Sequence, residues 1–310
     1  LNGNSNLAKA KDQADQNIAK LPNLSDGQKD IAKQNISNAQ TTSDVQQAEQ
    51  TAKTLNDDLG NLNQAISDAN SAKSTPNYTE ADSGKQTALD DALSEAEKAK
   101  NSNDPSAVAT ATKHLQDAQS GLNGNSNLAK AKDQADQNIA KLPNLSDGQK
   151  DIAKQNISNA QTTSDVQQAE QTAKTLNDDL GNLNQAISDA NSAKSTPNYN
   201  EADPDKKKAL DGALSEAKTA KTSNDPSAVE QATKDLKAAQ SGLNGLANTK
   251  KQADQNIDQM TNLSDDQKKA AKDKITSANT SSDVTKAEND AKTLNDNLGK
   301  LNQAISDANS

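Results

Sequence analysis

Residues 1–78 recur letter for letter as residues 122–199. A diverged third copy opens at Leu243 and, after a three-residue deletion, continues as QADQNIDQMTNLSDDQKKAAKDKI. Copies at so long a period describe an array of domains and exclude a single globule. The composition agrees. The 310 residues hold no Cys, Trp or Phe, two Tyr, one His and one Met, and only 30% are apolar. One core for a chain of this length would need large side chains that are missing here. The apolar residues are mostly Ala, the best helix former. The formal charge is −10, too small per residue for self-repulsion to keep the chain open.

Charge and composition also narrow the possible partners. Every basic residue is Lys, and an acidic, Arg-free surface argues against nucleic acid and against an anionic membrane face. No apolar run approaches the ~20 residues that cross a bilayer, so no membrane insertion is expected in this segment. The lack of Cys excludes disulfides and thiolate chemistry and is compatible with an extracellular setting.

Within the repeat every signal is helical. Leu7, Ala10, Ala14, Ile18 and Leu21 form one apolar stripe, closed by Pro22. Ser25 followed by Gln28 is a capping box and starts a second helix near Asp26, with Ile31, Ala32, Ile36 and Ala39 inward. Thr41 and Thr42 mark a turn, and Ser43 with Gln46 reads as a second capping box. Then Val45, Ala48, Ala52, Leu55, Leu59, Leu62, Ile66 and Ala69 alternate spacings of three and four without a slip. This predicts one helix from Asp44 to Asn70, about 40 Å long. It is too long for one arm of a small bundle, so its first half closes one three-helix bundle and its second half opens the next. Gly60, recurring as Gly181 and Gly299, is either a tolerated surface glycine or a bend or close approach at that seam.

Ser-Thr-Pro-Asn-Tyr then reads as a loop. Asp82-Ser83, equivalent to Asp203-Pro204, starts a helix lined by Leu89, Ala92, Ala96 and Ala99. Asp104-Pro105, and Asp225-Pro226 in the second copy, start another lined by Val108, Ala111, Leu115, Ala118 and Leu122. Gly121 and Gly124 interrupt the chain before the next unit. No strand pattern survives.

No residue of the chain reads as catalytic, cofactor-binding or metal-binding. His114 is replaced by Asp235 in the second copy. The pairs Asp57-Asp58 and Asp90-Asp91 point apart on a helix and read as solvated faces. Lys206-Lys207-Lys208 reads as a solvated helix start. No calcium loop or phosphate-binding glycine loop occurs. Tyr78 and Tyr199 either close the end of a bundle with the hydroxyl near water, or stand out as partner anchors. Ligand-binding residues stay unassigned.

The segments Leu24-Ser25-Asp26-Gly27-Gln28-Lys29 and Ile36 through Val45 resemble the GA module, a three-helix domain of Gram-positive surface proteins. Leu62-Asn63-Gln64-Ala65-Ile66, Tyr78 and Asp104-Pro105-Ser106-Ala107-Val108 through Leu115 to Gly124 resemble the FIVAR module. Their alternation over the whole chain is similar to the giant extracellular-matrix-binding proteins of staphylococci. The resemblance implies a non-enzymatic, cell-wall-associated adhesin on the bacterial surface, with fibronectin as the matrix ligand. Albumin is the other ligand implied by the GA module. Albumin-binding members carry an aromatic pair where this chain has Ile31-Ala32, Ile152-Ala153 and Ala270-Ala271, which removes large interface anchors and ranks albumin below fibronectin.

The expected architecture is all-α, a tandem array of three-helix bundles joined by shared long helices into an elongated rod. GA-like bundles fall at 1–58, 122–179 and 243–297, and FIVAR-like bundles at 59–121 and 180–242, with 298–310 beginning a further one. That last stretch, Leu298 to Ser310, is expected to fray. The chain is expected to be monomeric. A structural spacer without a ligand is the alternative in a different class, and an enzyme is disfavoured by the lack of any converging polar constellation.

Overall fold

Capping side chains and prolines start most of the helices. The computed structural model describes residues 2–309. Its elements are α1 (Asn2–Ala19), α2 (Asp26–Asn38), α3 (Thr42–Ala72), α4 (Pro76–Thr79), α5 (Ser83–Ala99), α6 (Pro105–Ser120), α7 (Gly124–Ala140), α8 (Asp147–Asn159), α9 (Thr163–Ala193), α10 (Pro197–Asn200), α11 (Pro204–Ala220), α12 (Pro226–Ser241), α13 (Gly245–Asp258), α14 (Asp265–Ser277) and α15 (Ser281–Ala308). No strand occurs among the described residues. Leu1 and Ser310, the outermost positions of the first and last expected modules, lie outside them. Contacts divide the chain into two units. One runs from the start to Gln137 with Asn156–Gln168, and the other comprises Asn138–Gln155 with Ala169 to the end.

In the first unit, α1, α2 and α3 pack on one another, and α3 also packs on α5 and α6. One helix therefore serves two bundles. A single hydrophobic cluster runs from Ala14 to Leu122, with Ile18, Ile36, Leu62, Leu89, Val108 and Leu115 fully buried. Tertiary burial explains why α3 does not break at Gly60. A glycine inside a helix costs about 1 kcal/mol relative to Ala, while burying each flanking leucine returns about 1.5–3 kcal/mol, and Leu59 and Leu62 are both buried.

The capping box at Ser25 and Gln28 is formed, with the Gln28 amide donating to Ser25 Oγ at 3.3 Å. The start of α3 differs from expectation. Its N-cap is Thr41, whose hydroxyl accepts from the Asp44 amide at 3.1 Å, while the Asp44 carboxylate accepts from the Thr41 amide at 2.9 Å. Aspartate at N3 completes the reciprocal pair, so the helix starts ahead of Ser43. The expected loop at Ser-Thr-Pro-Asn-Tyr contains the single turn α4, with Pro76 at its first position. Pro105 occupies the first turn of α6, and the Asp104 side chain accepts from Ser106 N at 3.0 Å. Asp82 is the N-cap of α5, but its side chain makes no cap bond.

In the second unit α11 packs on α12, α13, α14 and α15 pack on one another, and α10 lies against α13. Ala253, Ile257, Leu263, Ile275, Val284 and Ala291 anchor a separate core in the last bundle. The final helix continues to Ala308. Leu301 and Ile305 are 54% and 50% exposed, whereas Leu62 and Ile66, the same residues of the first copy, are 0% and 7% exposed. The difference is the covering by α5 and α6 in the first unit. No helix among the described residues is long and apolar enough to cross a membrane.

Candidate functional site

The polar residues singled out by the sequence do not converge. His114 is exposed, with Nδ1 at 3.7 Å from Glu95 Oε2. Asp57 is exposed and accepts from Asn56 Nδ2 at 3.1 Å. Asp91 is exposed. In the lysine run, Lys207 donates to the Asn200 carbonyl. No group of three or more His, Cys, Asp or Glu among the described residues could hold a metal.

Asp90 departs from the reading of a plain solvated face. Its carboxylate accepts from Tyr78 Oη at 2.9 Å and pairs with Lys73 Nζ at 2.8 Å, and Lys73 also sits 5.6 Å from the centre of the Tyr78 ring. The Lys73 hydrogen bond lowers the Asp90 pKa, and burial opposes it. The Asp90 hydrogen bond raises Tyr78. Tyr78 packs against the core cluster, so the ring closes the bundle end and its hydroxyl binds a carboxylate rather than water alone. Asp211, Tyr199 and Lys194 repeat the arrangement in the second unit.

What the fold does bring together lies at the joints between bundles. Gln28 is buried. Its Oε1 accepts from Ser25 N at 2.9 Å, while Nε2 donates to the carbonyls of Lys100 and Ser102 at 3.1 and 2.7 Å. The same side chain thus caps α2 and ties it to the turn between α5 and α6. Gln149 does the same to Lys221 and Ser223 in the second unit. Nearby, Asn23 and the buried Asn56 exchange bonds. Asn23 N donates to Asn56 Oδ1, and Asn23 Nδ2 donates to the Asn56 carbonyl, both at 2.9 Å. A Cβ on Gly60 would stand 2.8 Å from Asn23 Nδ2. Gly60 is therefore the close-approach glycine of the two readings, leaving room for the carboxamide that docks on the helix carbonyl.

The second kind of joint is built on α4. A Cβ on Gly124 would lie 2.4 Å from Pro76 O, 2.6 Å from Asn77 O and 2.8 Å from Ala81 N. Only a glycine lets the start of α7 rest on that backbone. Asn123 Oδ1 accepts from Asp82 N at 3.0 Å, and its Nδ2 donates to Asp82 Oδ2 at 2.8 Å. Asn127 Nδ2 reaches Asp82 Oδ1 and the Glu80 carbonyl, both at 3.0 Å. Glu80 Oε2 accepts from Thr163 N and Oγ1 at 3.0 and 2.6 Å. The hydrogen bonds from Asn123 and then Asn127 lower the Asp82 pKa. Asp203, Asn244, Asn248 and Gly245 repeat the set, with Gly245 against the Asn198 carbonyl. Composition hides both joints, because their donors lie dozens of positions from their acceptors. The only trace in the sequence is the recurrence of these Asn, Gln and Gly residues at the repeat period.

Ile31, expected to point inward, is exposed, as is Ile152, because Ala32, Ile36 and Ala39 fill the buried stripe and the position before Ala32 is turned about 100° from it; Ala32 and Ala153 are buried. Ala270 is exposed and Ala271 buried.

Helix order, shared helices and polar joints together define a tandem array of three-helix bundles. The GA module model matches residues 4–58, 125–179 and 244–297, and the FIVAR domain model matches 58–123 and 179–244. The chain belongs to the GA module family, with FIVAR domains between the GA modules. It is 36% identical over 319 aligned residues to extracellular matrix-binding protein EbhA of Staphylococcus aureus strain Newman, covering 99% of this chain and 9% of that protein. The extracellular matrix-binding protein ebh of strain NCTC 8325 is also 36% identical, over 99% of this chain and 3% of its own length. The chain thus spans under a tenth of either relative. Among solved structures, a domain of EbhA from Staphylococcus aureus aligns with a TM-score of 0.62 and 28% identity, over 76% of this chain and 98% of that one.

Proposed function

We propose that this chain is a non-enzymatic repeat segment of a cell-wall-associated bacterial adhesin that binds host extracellular matrix, fibronectin first, through weak contacts multiplied along the array. The observation that carries this is the likeness over 99% of the chain to proteins named extracellular matrix-binding proteins. The joints support it, since a shared helix and buried polar ties hold neighbouring bundles together within each unit. We place module boundaries near 58, 121, 179, 242 and 297, in a monomeric chain. Multivalency then supplies the affinity that a small, Ala-rich surface lacks. Albumin ranks lower, because the second member of each Ile-Ala or Ala-Ala pair is buried and offers no anchor.

A binding panel of immobilised fibronectin, albumin, collagen and fibrinogen tests the reading. The 310-residue chain is expected to hold fibronectin far more tightly than one GA–FIVAR unit. Equal affinity of the two overturns the multivalent mechanism, and no binding to any of the four favours a ligand-free spacer.

A further inference from the structure

Both joints built on α4 and α10 place an Asn-Gly step at their centre, Asn123-Gly124 and Asn244-Gly245. Asparagine is among the thermally labile residues, and glycine after it offers a backbone nitrogen with no side chain in the way. The reaction is intramolecular. The Gly124 amide nitrogen attacks Cγ of Asn123, a C–N bond forms, the bond to Nδ2 breaks and ammonia leaves. Water then opens the resulting succinimide to aspartate or isoaspartate. The sum is carboxamide plus water to carboxylate plus ammonium, the Gly124 amide proton leaving with the ammonia, with no redox change.

The closed joint opposes the first step in two ways. Asp82 holds the Asn123 carboxamide at both its oxygen and its nitrogen. Gly124 is wedged against the Pro76, Asn77 and Ala81 backbone, so its nitrogen cannot swing toward Cγ. Opening the joint releases both restraints at once. Reclosing after reaction is then blocked, because a carboxylate would stand where Nδ2 donated, opposite the Asp82 carboxylate.

We propose that Asn123 and Asn244 are spontaneous deamidation sites guarded by the closed joint, so that each deamidation is a one-way chemical record that the joint has opened. The test follows conversion at each site by peptide mapping of the full 310-residue chain held in mildly alkaline buffer. A synthetic Leu-Asn-Gly-Asn-Ser-Asn peptide gives the unguarded rate. Asn123 and Asn244 are expected to react on the order of a hundredfold more slowly than the peptide, about tenfold for each net hydrogen bond that must open. Asp82→Ala removes the bond to Nδ2 and leaves the backbone one. It is expected to speed Asn123 about tenfold while Asn244 in the same chain is unchanged. Helical content checks that the variant is folded, and α5 loses no side-chain cap bond by the change. Should D82A disturb the fold, Asp203→Ala with Asn123 as the reference repeats the test in the other joint. As a second readout, Asn123→Asp is expected to raise amide exchange at residues 76–82 and 124–128. Wild-type Asn123 reacting at the peptide rate, no acceleration in D82A, or unchanged exchange in N123D would each overturn the proposal.

Discussion

Replacing glycine by alanine at three positions should give three different signs, and the structure fixes each. At Gly124 a Cβ would meet three backbone atoms at 2.4–2.8 Å. Backbone cannot swing aside as a flexible side chain can, so the overpacking cost of about 1–3 kcal/mol should sit toward its upper end. At Gly60 the Cβ would meet only the end of the Asn23 side chain, at 2.8 Å. Alanine gains about 1 kcal/mol inside the helix, and displacing Asn23 loses a hydrogen bond of about the same size, so the change is near zero. At Gly212, inside α11, nothing lies within 4 Å, and alanine should stabilise by about 1 kcal/mol. A chain of several bundles has no single unfolding free energy, so the assay is site-resolved amide exchange on the whole protein. G124A should lower protection around residues 76–82 and 124–128, G60A should leave its surroundings within error, and G212A should raise protection in α11. Unchanged protection in G124A, or equal losses in G124A and G60A, would refute the close-approach argument.

Other consequences can be measured in the same chain. Leu62→Ala should destabilise its bundle by about 2–5 kcal/mol through the cavity it leaves, while Leu301→Ala, the same residue with an exposed side chain, should move the local opening energy by under about 0.5 kcal/mol. Gln28→Ala breaks its capping bonds and both ties to the α5–α6 turn and should cost about 3–4 kcal/mol at about 1 kcal/mol per bond, with lost protection at residues 100–103. In Gln267→Ala the loss should be confined to the capping box of α14. The Asp44, Asp82 and Asp90 carboxyls are held below the ordinary value of 3.8. A depressed folded pKa gives stability that is present above the unfolded value and disappears as pH falls through the folded one. Site-resolved opening energies around these carboxylates should therefore stay level from neutral pH to about 5 and drop below about 4. Asp82→Asn should lessen that acid-side drop at the joint.

Period and spacing alone made the helical architecture legible. The unbroken three-four rhythm from Val45 to Ala69 implied one helix, because only a continuous stripe keeps Leu55, Leu59, Leu62 and Ile66 on buried faces. The Ser25–Gln28 capping box was equally plain, since both partners lie within one turn. Local pattern misplaced the start of α3, where Thr41 and Asp44 form a competing pair two residues earlier. The joints were the opaque part. Gln28 looks like a finished local motif until the fold brings the Lys100 and Ser102 carbonyls to its free nitrogen. Asp82 looks like an ordinary N-cap until Asn123 and Asn127 claim its carboxylate. Such ties depend on distant backbone arriving at one place, which no short-range spacing encodes.

Because α3 packs against helices on both sides of Gly60, its residue count is a phase constraint. Inserting one residue near its middle would turn everything downstream by about 100° and advance it about 1.5 Å, so neither neighbouring core could keep its fit. Length variation should spare the helix that two cores share. The third copy spares it: its three-residue deletion falls at the head of α13, which has 14 residues against 17 in α7, and the long helix keeps the rhythm of α3 intact from Val284 to Ile305. Arrays of this kind can lengthen or shorten by whole periods, but hardly by single residues within the helix that two bundles share.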